Sequence, residues 1–138
     1  MKTHILLIDD DKEEVTFLMD ALRQVPHEDG FKCTYANTPQ QGIQMLRYLV
    51  PDVIFVDLKM PDINGLQFLS EISSLPSLKN TRIYLYSLFL NDTIRNTAIS
   101  LGAWGCIEKT FSINTLSNEL NMILASSLVP AYTFYGGA

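Results

Sequence analysis

The sequence predicts an α/β domain of five strands and five helices, and three observations carry that prediction. Short unbroken apolar runs, as in strands buried on both faces, alternate along the chain with apolar residues at helical spacing. The 138 residues are 47% hydrophobic, enough to bury a proper core, yet no apolar run approaches the ~18 residues of a membrane span. No internal linker or low-complexity tract interrupts the pattern. One globular domain is therefore expected over residues 1–125, followed by a tail at 126–138 with no separate effector domain.

The first strand is read at His4 to Ile8, ending in Asp9, Asp10 and Asp11. Val15, Leu18, Met19 and Leu22 then recur at helical spacing, and Glu13 and Glu14 suit the positive first turn of that helix. After the turn signals Pro26 and Gly30, Lys32 to Ala36 alternates weakly, as an edge strand does. Thr38 before Pro39 starts the second helix, Ile43, Leu46 and Leu49 give its buried stripe, and Pro51 stops it. Val53 to Val56 is the central strand. Beyond Gly65, Phe68, Leu69 and Ile72 mark a third helix that ends in the polar stretch Pro76 to Asn80. The fourth strand is Arg82 to Ser87, and the fourth helix carries Ile94, Ala98 and Leu101 with Gly102 as its cap. A fifth strand spans Trp104 to Lys109. Ser112 then caps a last helix whose apolar face is Ile113, Leu116, Leu120, Ile123 and Leu124.

A net charge of -5 argues against nonspecific binding to nucleic acid, which needs a basic face, and accommodates an acidic site that attracts a cation. Cys33 and Cys106 lie far apart, without CxxC or Cys/His spacing. Neither a disulfide framework nor a zinc site is indicated, and both read as small buried residues. The opening residues lack a signal-peptide pattern, so a reducing cytoplasm is the expected location, with no membrane association.

In an open parallel sheet, ligands bind in the crevice outside the C-terminal ends of the strands. Asp9 and Asp10, Asp57, Ser87 and Lys109 all fall at that edge. Taken singly they have plain readings: a helix N-cap run, a strand-ending turn, a loop hydroxyl and a solvated charge. Taken together, three carboxylates repel one another unless a cation sits among them. An all-oxygen site favours magnesium, calcium or manganese, and magnesium best suits phosphate chemistry because it leaves positions for water and substrate oxygen.

The stretches "LLIDDD", "VDLKMPDING", "LYS" and "IEKT", in this order and spacing, resemble the motifs of the response-regulator receiver domain of two-component signalling. The resemblance runs from Lys2 to about Ala125. It implies a doubly wound, flavodoxin-like parallel sheet of strand order 2-1-3-4-5 with helices on both faces. It also implies that Asp57 accepts a phosphoryl group from a sensor histidine kinase or a histidine phosphotransfer protein, as a phosphoacceptor signalling domain rather than an enzyme in the usual sense. Asp57 would attack phosphorus as a carboxylate nucleophile. Asp10, Asp9 through water, Asp57 and the backbone carbonyl of Lys59 would hold magnesium, which offsets charge on the phosphoryl oxygens. Lys109 would give a fixed positive charge to Asp57 before reaction and to the phosphoryl group after it. Ser87 would move to hydrogen-bond a phosphoryl oxygen, reshaping the surface of the fourth helix, fifth strand and fifth helix for a downstream protein.

Three positions depart from the family pattern. Cys106 stands three residues before Lys109, where an aromatic residue is usual, so the relay is expected to be muted or carried by a neighbour such as Trp104. Leu88 follows Ser87 where a small residue is usual, and its bulk, with Lys59 nearby, implies slow acyl-phosphate hydrolysis. Thr110 replaces the usual Pro, yet a cis Lys109-Thr110 bond is expected, although cis before a non-proline costs about 2.5 to 4 kcal/mol. If the fifth strand is regular, Trp104 shares a face with Cys106 and serves as a partner anchor or as core packing. Tyr132, Phe134 and Tyr135 in the tail read as a docking segment or as frayed chain.

Two other functions compete. A phosphatase of the haloacid dehalogenase type also uses an aspartyl nucleophile and magnesium, but needs a second Asp two residues on, and Asp57-Leu58-Lys59 fails that test. A pseudo-receiver acting only as an interaction module is disfavoured by the full set of Asp9, Asp10, Asp57, Ser87 and Lys109, and favoured by Cys106 and Thr110.

Overall fold

The apolar runs do become strands buried from both sides. The computed structural model describes residues 2–125, in the order β1 (Thr3–Ile8), α1 (Glu13–Leu22), β2 (Phe31–Ala36), α2 (Pro39–Leu46), β3 (Val53–Asp57), α3 (Gly65–Ser73), β4 (Arg82–Ser87), α4 (Asp92–Ser100), β5 (Gly105–Glu108) and α5 (Ile113–Ala125). A short 3-10 turn at Pro76–Leu78 joins α3 to β4. The tail residues Tyr132, Phe134 and Tyr135 lie outside the described residues. The five strands form one sheet in the order β2-β1-β3-β4-β5, and every neighbouring pair is parallel. Strand order reverses between β1 and β3, which opens the crevice at their C-terminal ends.

Two cores flank the sheet because successive strand residues face opposite ways. Leu6, Ile8, Ile54, Val56, Ile83 and Leu85 pack with Leu46 of α2, Phe68, Leu69 and Ile72 of α3 and Ala98 of α4. Ile5, Leu7, Val53, Phe55, Tyr84, Tyr86 and Ile107 pack with Leu18, Ala21 and Leu22 of α1 and Leu116 and Leu120 of α5. Helix starts follow local chemistry. The Thr38 side chain accepts from the Gln41 N–H with Pro39 in the first turn, Asn64 accepts from Gln67 N–H, and Ser112 Oγ accepts from Thr115 N–H. Gly102 ends the fourth helical segment at φ +115°, a conformation that favours glycine.

Three sequence expectations are corrected by the packing. Met19 is 40% exposed, and Ala21 takes the buried place beside Leu18 and Leu22. Helix α2 stops at Leu46, so Leu49 lies beyond it in a turn whose N–H donates to Met45 O. Trp104 and Cys106 lie on opposite sides of the sheet. The strand begins only at Gly105; Trp104 packs on the α1/α5 side under the Arg82 guanidinium, while Cys106 packs toward α2, α3 and α4. Strand alternation does not extend to a residue before the strand starts.

Candidate functional site

Asp9 continues the line of β1 past its last residue, with its N–H donating to Ala36 O (3.1 Å) and the Tyr35 hydroxyl donating to its carbonyl (2.7 Å). Its carboxylate is wholly buried. Oδ1 accepts from the Asp11 N–H at 2.9 Å, which fixes the turn into α1. Oδ2 stands 2.7 Å from Lys109 Nζ, yet no aligned hydrogen bond reaches it among the described residues. A close cation without directional satisfaction leaves that oxygen with coordination capacity to spare.

Asp57 closes β3 and is 6% exposed. The chain after it doubles back, with Gly65 N–H donating to Leu58 O and Asp62 held at φ +72°. A Cβ on Gly65 would lie 2.1 Å from the Asp57 carbonyl oxygen, so only glycine permits this return. Lys109 follows β5, tied by its N–H to Ser87 O at 2.7 Å, and its Nζ stands 3.3 Å from Asp57 Oδ1. Ser87 ends β4, buried, and its Oγ accepts from the Phe89 N–H at 3.2 Å.

Asp9, Asp10, Asp57, Lys59, Ser87 and Lys109 all line one cleft of about 320 Å³. The structure thus gathers every residue that the sequence placed at the sheet edge. Asp10 and Lys59 are exposed, whereas Asp9, Asp57 and Ser87 are buried. Leu88 and Phe89, 64% and 58% exposed, stand at the mouth. The ammonium lies nearer Asp9 than Asp57, a preference that the sequence did not indicate.

The electrostatics are those of crowded anions. Burial raises the Asp9 carboxyl above its ordinary range, against the pull of Lys109 and the Asp11 N–H. Burial, then the charge of Asp9, pushes Asp57 up to about 7, with Lys109 opposing. Burial also disfavours charge on Lys109, but Asp9, Asp57 and Glu14 outweigh it and hold its pKa above the usual value. One carboxylate oxygen each from Asp9, Asp10 and Asp57 can lie within 4.8 Å of the others. This donor set is all oxygen and carries excess negative charge, and with the under-satisfied Asp9 Oδ2 it fits a hard divalent cation such as magnesium or manganese.

The sequence pattern of the family described as the response regulator receiver domain matches residues 5–121. The chain belongs to this family. As a receiver domain it is 32% identical over 125 residues to the nitrate/nitrite response regulator protein NarL of Escherichia coli, covering 91% of this chain and 56% of NarL. It is 29% identical over 116 residues to protein RcaC of Microchaete diplosiphon, covering 84% of this chain and 17% of RcaC. The chain therefore spans about half or less of the curated relatives that it matches. Among solved structures, the phosphorylated cyanobacterial phytochrome response regulator RcpA superposes with a TM-score of 0.80 at 22% identity, over 94% of this chain and 99% of that one. The manganese-bound form of response regulator Rcp1 gives a TM-score of 0.74 at 17% identity, over 93% of this chain and 98% of that one. No helix among the described residues is long and apolar enough to cross a membrane.

Two details of this receiver domain correct the sequence reading. The Lys109-Thr110 bond is trans, as are all peptide bonds among the described residues. Lys109 reaches Asp57 anyway, because its backbone is fixed by Ser87 O and its ammonium by Asp9, so the costly cis form before Thr110 is not needed. Trp104 cannot stand in for the missing aromatic at Cys106, since it faces the other core. Sequence reasoning also missed a pair behind the cleft, Tyr86 and Glu14, joined by a 3.0 Å hydrogen bond. The signal was present as a hydroxyl-bearing aromatic inside an apolar strand, a group that seeks a partner when buried.

Proposed function

We propose that this receiver domain accepts a phosphoryl group on Asp57 from a sensor histidine kinase or a histidine phosphotransfer protein, and signals by altered protein contacts. The observation that carries the reading is Asp57 itself: a buried carboxylate 3.3 Å from a buried ammonium, beside two further carboxylates at the open edge of the sheet. In the reaction, an Asp57 carboxylate oxygen attacks phosphorus and forms an acyl phosphate. The bond from phosphorus to the donor imidazole nitrogen breaks, and its electron pair stays on that nitrogen. Magnesium held by Asp9, Asp10, Asp57 and the Lys59 carbonyl would supply positive charge against the phosphoryl oxygens. Lys109 transfers part of its pairing from Asp9 to the new phosphoryl oxygens. The Ser87 hydroxyl, which now accepts from Phe89 N–H, keeps its own proton free to donate to one of them. Movement there reaches α4, β5 and α5, the surface assigned to a downstream protein.

Cys106 favours a second reading, a pseudo-receiver that acts as an interaction module without phosphorylation. It points toward α4 with no ring to swing into the space that Ser87 vacates. Incubation with magnesium and acetyl phosphate, followed by intact mass analysis, separates the two. One added phosphoryl group in the wild type and none in Asp57→Asn is the expected result. No addition with several donors would transfer the assignment to the interaction module.

A further inference from the structure

Behind the charged cluster lies a second layer, on the α1/α5 side of the sheet. Tyr86 pairs in register with Asp57 and is 1% exposed. A phenol buried so deeply needs a partner for its O–H. It donates to Glu14 Oε2 at 3.0 Å, in the first turn of α1. Phe55 braces the ring, with centroids 6.0 Å apart and planes inclined at 50°. The ring in turn meets the site, because Lys109 Nζ stands 5.3 Å from its centroid.

The Lys109 ammonium therefore has three attractions: Asp9 Oδ2 at 2.7 Å, Asp57 Oδ1 at 3.3 Å and the negative face of the Tyr86 ring. Its side chain is only 8% exposed, so water competes little, and an ammonium-ring attraction gains strength when desolvated. Donation of the phenolic proton toward a carboxylate adds electron density to the ring and fixes its tilt. Lysine is a point charge on a flexible stem, and a fixed face narrows the positions that it samples.

We propose that Tyr86 and Glu14 are positioning residues for Lys109: the Glu14 carboxylate fixes the Tyr86 ring, and the ring holds the Lys109 ammonium where it serves both Asp9 and Asp57. The kinetic consequence rests on Asp57 being the phosphoacceptor; the positioning itself does not. A Tyr86 that only filled the core would have no reason to act through Lys109.

The test uses Tyr86→Phe, Tyr86→Leu and Glu14→Gln in the full chain, each alone and combined with Lys109→Met. The first readout needs no phosphorylation: the 15N–1H signal of the Lys109 ammonium in magnesium-free protein. A slowly exchanging signal is expected in the wild type, kept in Glu14→Gln whose amide oxygen still accepts, weakened in Tyr86→Phe and lost in Tyr86→Leu. The second readout is the initial rate of labelling by acetyl phosphate. Tyr86→Leu should lower it about 3- to 30-fold, the range of an ammonium-ring attraction expressed as a rate. Tyr86→Phe should lower it less, and neither change should lower it further once Lys109 is Met. A loss that persists undiminished in Lys109→Met overturns the proposal. So does a wild type without a protected Lys109 signal, or a signal unchanged by Tyr86→Leu. Should Tyr86→Leu fail to fold, Glu14→Ala replaces it: the ring stays but loses the acceptor that fixes it, so the Lys109 signal should weaken as in Tyr86→Phe, and a signal unchanged in both variants overturns the proposal. A wild type that takes no phosphoryl group would remove the phosphoacceptor reading, while the Lys109 signal still decides the positioning.

Discussion

The two faces of the sheet support the same carboxylate edge in unlike ways. On the α1/α5 face, Lys109 is packed over the Tyr86 ring and Tyr86 is hydrogen-bonded to Glu14. On the α4 face, Ser87 continues the alternation of Ile83 and Leu85, and the residue paired with Leu85 is the small, half-buried Cys106. The side that positions charge carries an aromatic ring with a polar partner beneath the ammonium; the side of Ser87 carries the small Cys106 beside Leu85. On the proposed function, chemistry and relay would fall on opposite faces of β4 and β5.

Substitutions can break that comparison, and the largest effect belongs to the charged side. Lys109→Met should slow labelling by acetyl phosphate about 100-fold, the usual cost of removing one positioned charge donor, as read from initial rates by intact mass. A slowing confined to twofold would mean that the ammonium is only a structural ion pair.

The next effect is on stability. In metal-free buffer at pH 8, Asp57→Asn should stabilise the fold by about 1 to 2 kcal/mol, within the range of single stabilising substitutions, because it removes a buried charge crowded by Asp9. Burial and Asp9 push Asp57 up to about 7 from an ordinary 3.8. A folded-state pKa above the unfolded one means that the native chain holds this proton more tightly. Wild-type stability from this group is therefore present below about pH 4 and lost as pH rises through about 7. The advantage of Asp57→Asn should accordingly shrink as pH falls from 8 toward 4, measured by urea unfolding at each pH. A constant advantage would locate the gain elsewhere.

Smaller effects sharpen the contrast. Leu88, at the mouth of the cleft, should shield the acyl phosphate, so Leu88→Ala is expected to shorten its lifetime about threefold, near 0.7 kcal/mol of barrier. An unchanged lifetime would remove Leu88 from the account. Least of all, Cys106→Ala should leave the labelling rate within about twofold, since its side chain lies in the other core from Tyr86. A large loss there would erase the distinction between the faces.

Much of this was legible in the chain because it depends on neighbours in sequence. Val53 to Val56 reads as a strand buried on both faces, and Thr38-Pro39 reads as a helix start, from local chemistry alone. The candidate site was legible because four strands end in polar residues at one edge. What escaped depends on pairing across the fold. Tyr86 and Glu14 are 72 residues apart, and only the packing of α1 against the sheet joins them. Trp104 would share a face with Cys106 only in a strand regular from Trp104 onward; β5 begins one residue later, and Trp104 takes the alternative of core packing on the other side. The closer approach of Lys109 to Asp9 than to Asp57 belongs to the packed geometry, which no spacing records.

The measurement that tests the account most directly is a backbone amide shift map on adding magnesium and beryllofluoride, an analogue of the phosphoryl group. Large shifts are expected at Asp9 to Asp11, Asp57 to Gly65, Ser87 to Phe89 and Lys109, smaller ones through β5 at Cys106, and none of these in Asp57→Ala. An unperturbed Asp57 edge in the wild type, or the same shifts in Asp57→Ala, would contradict it.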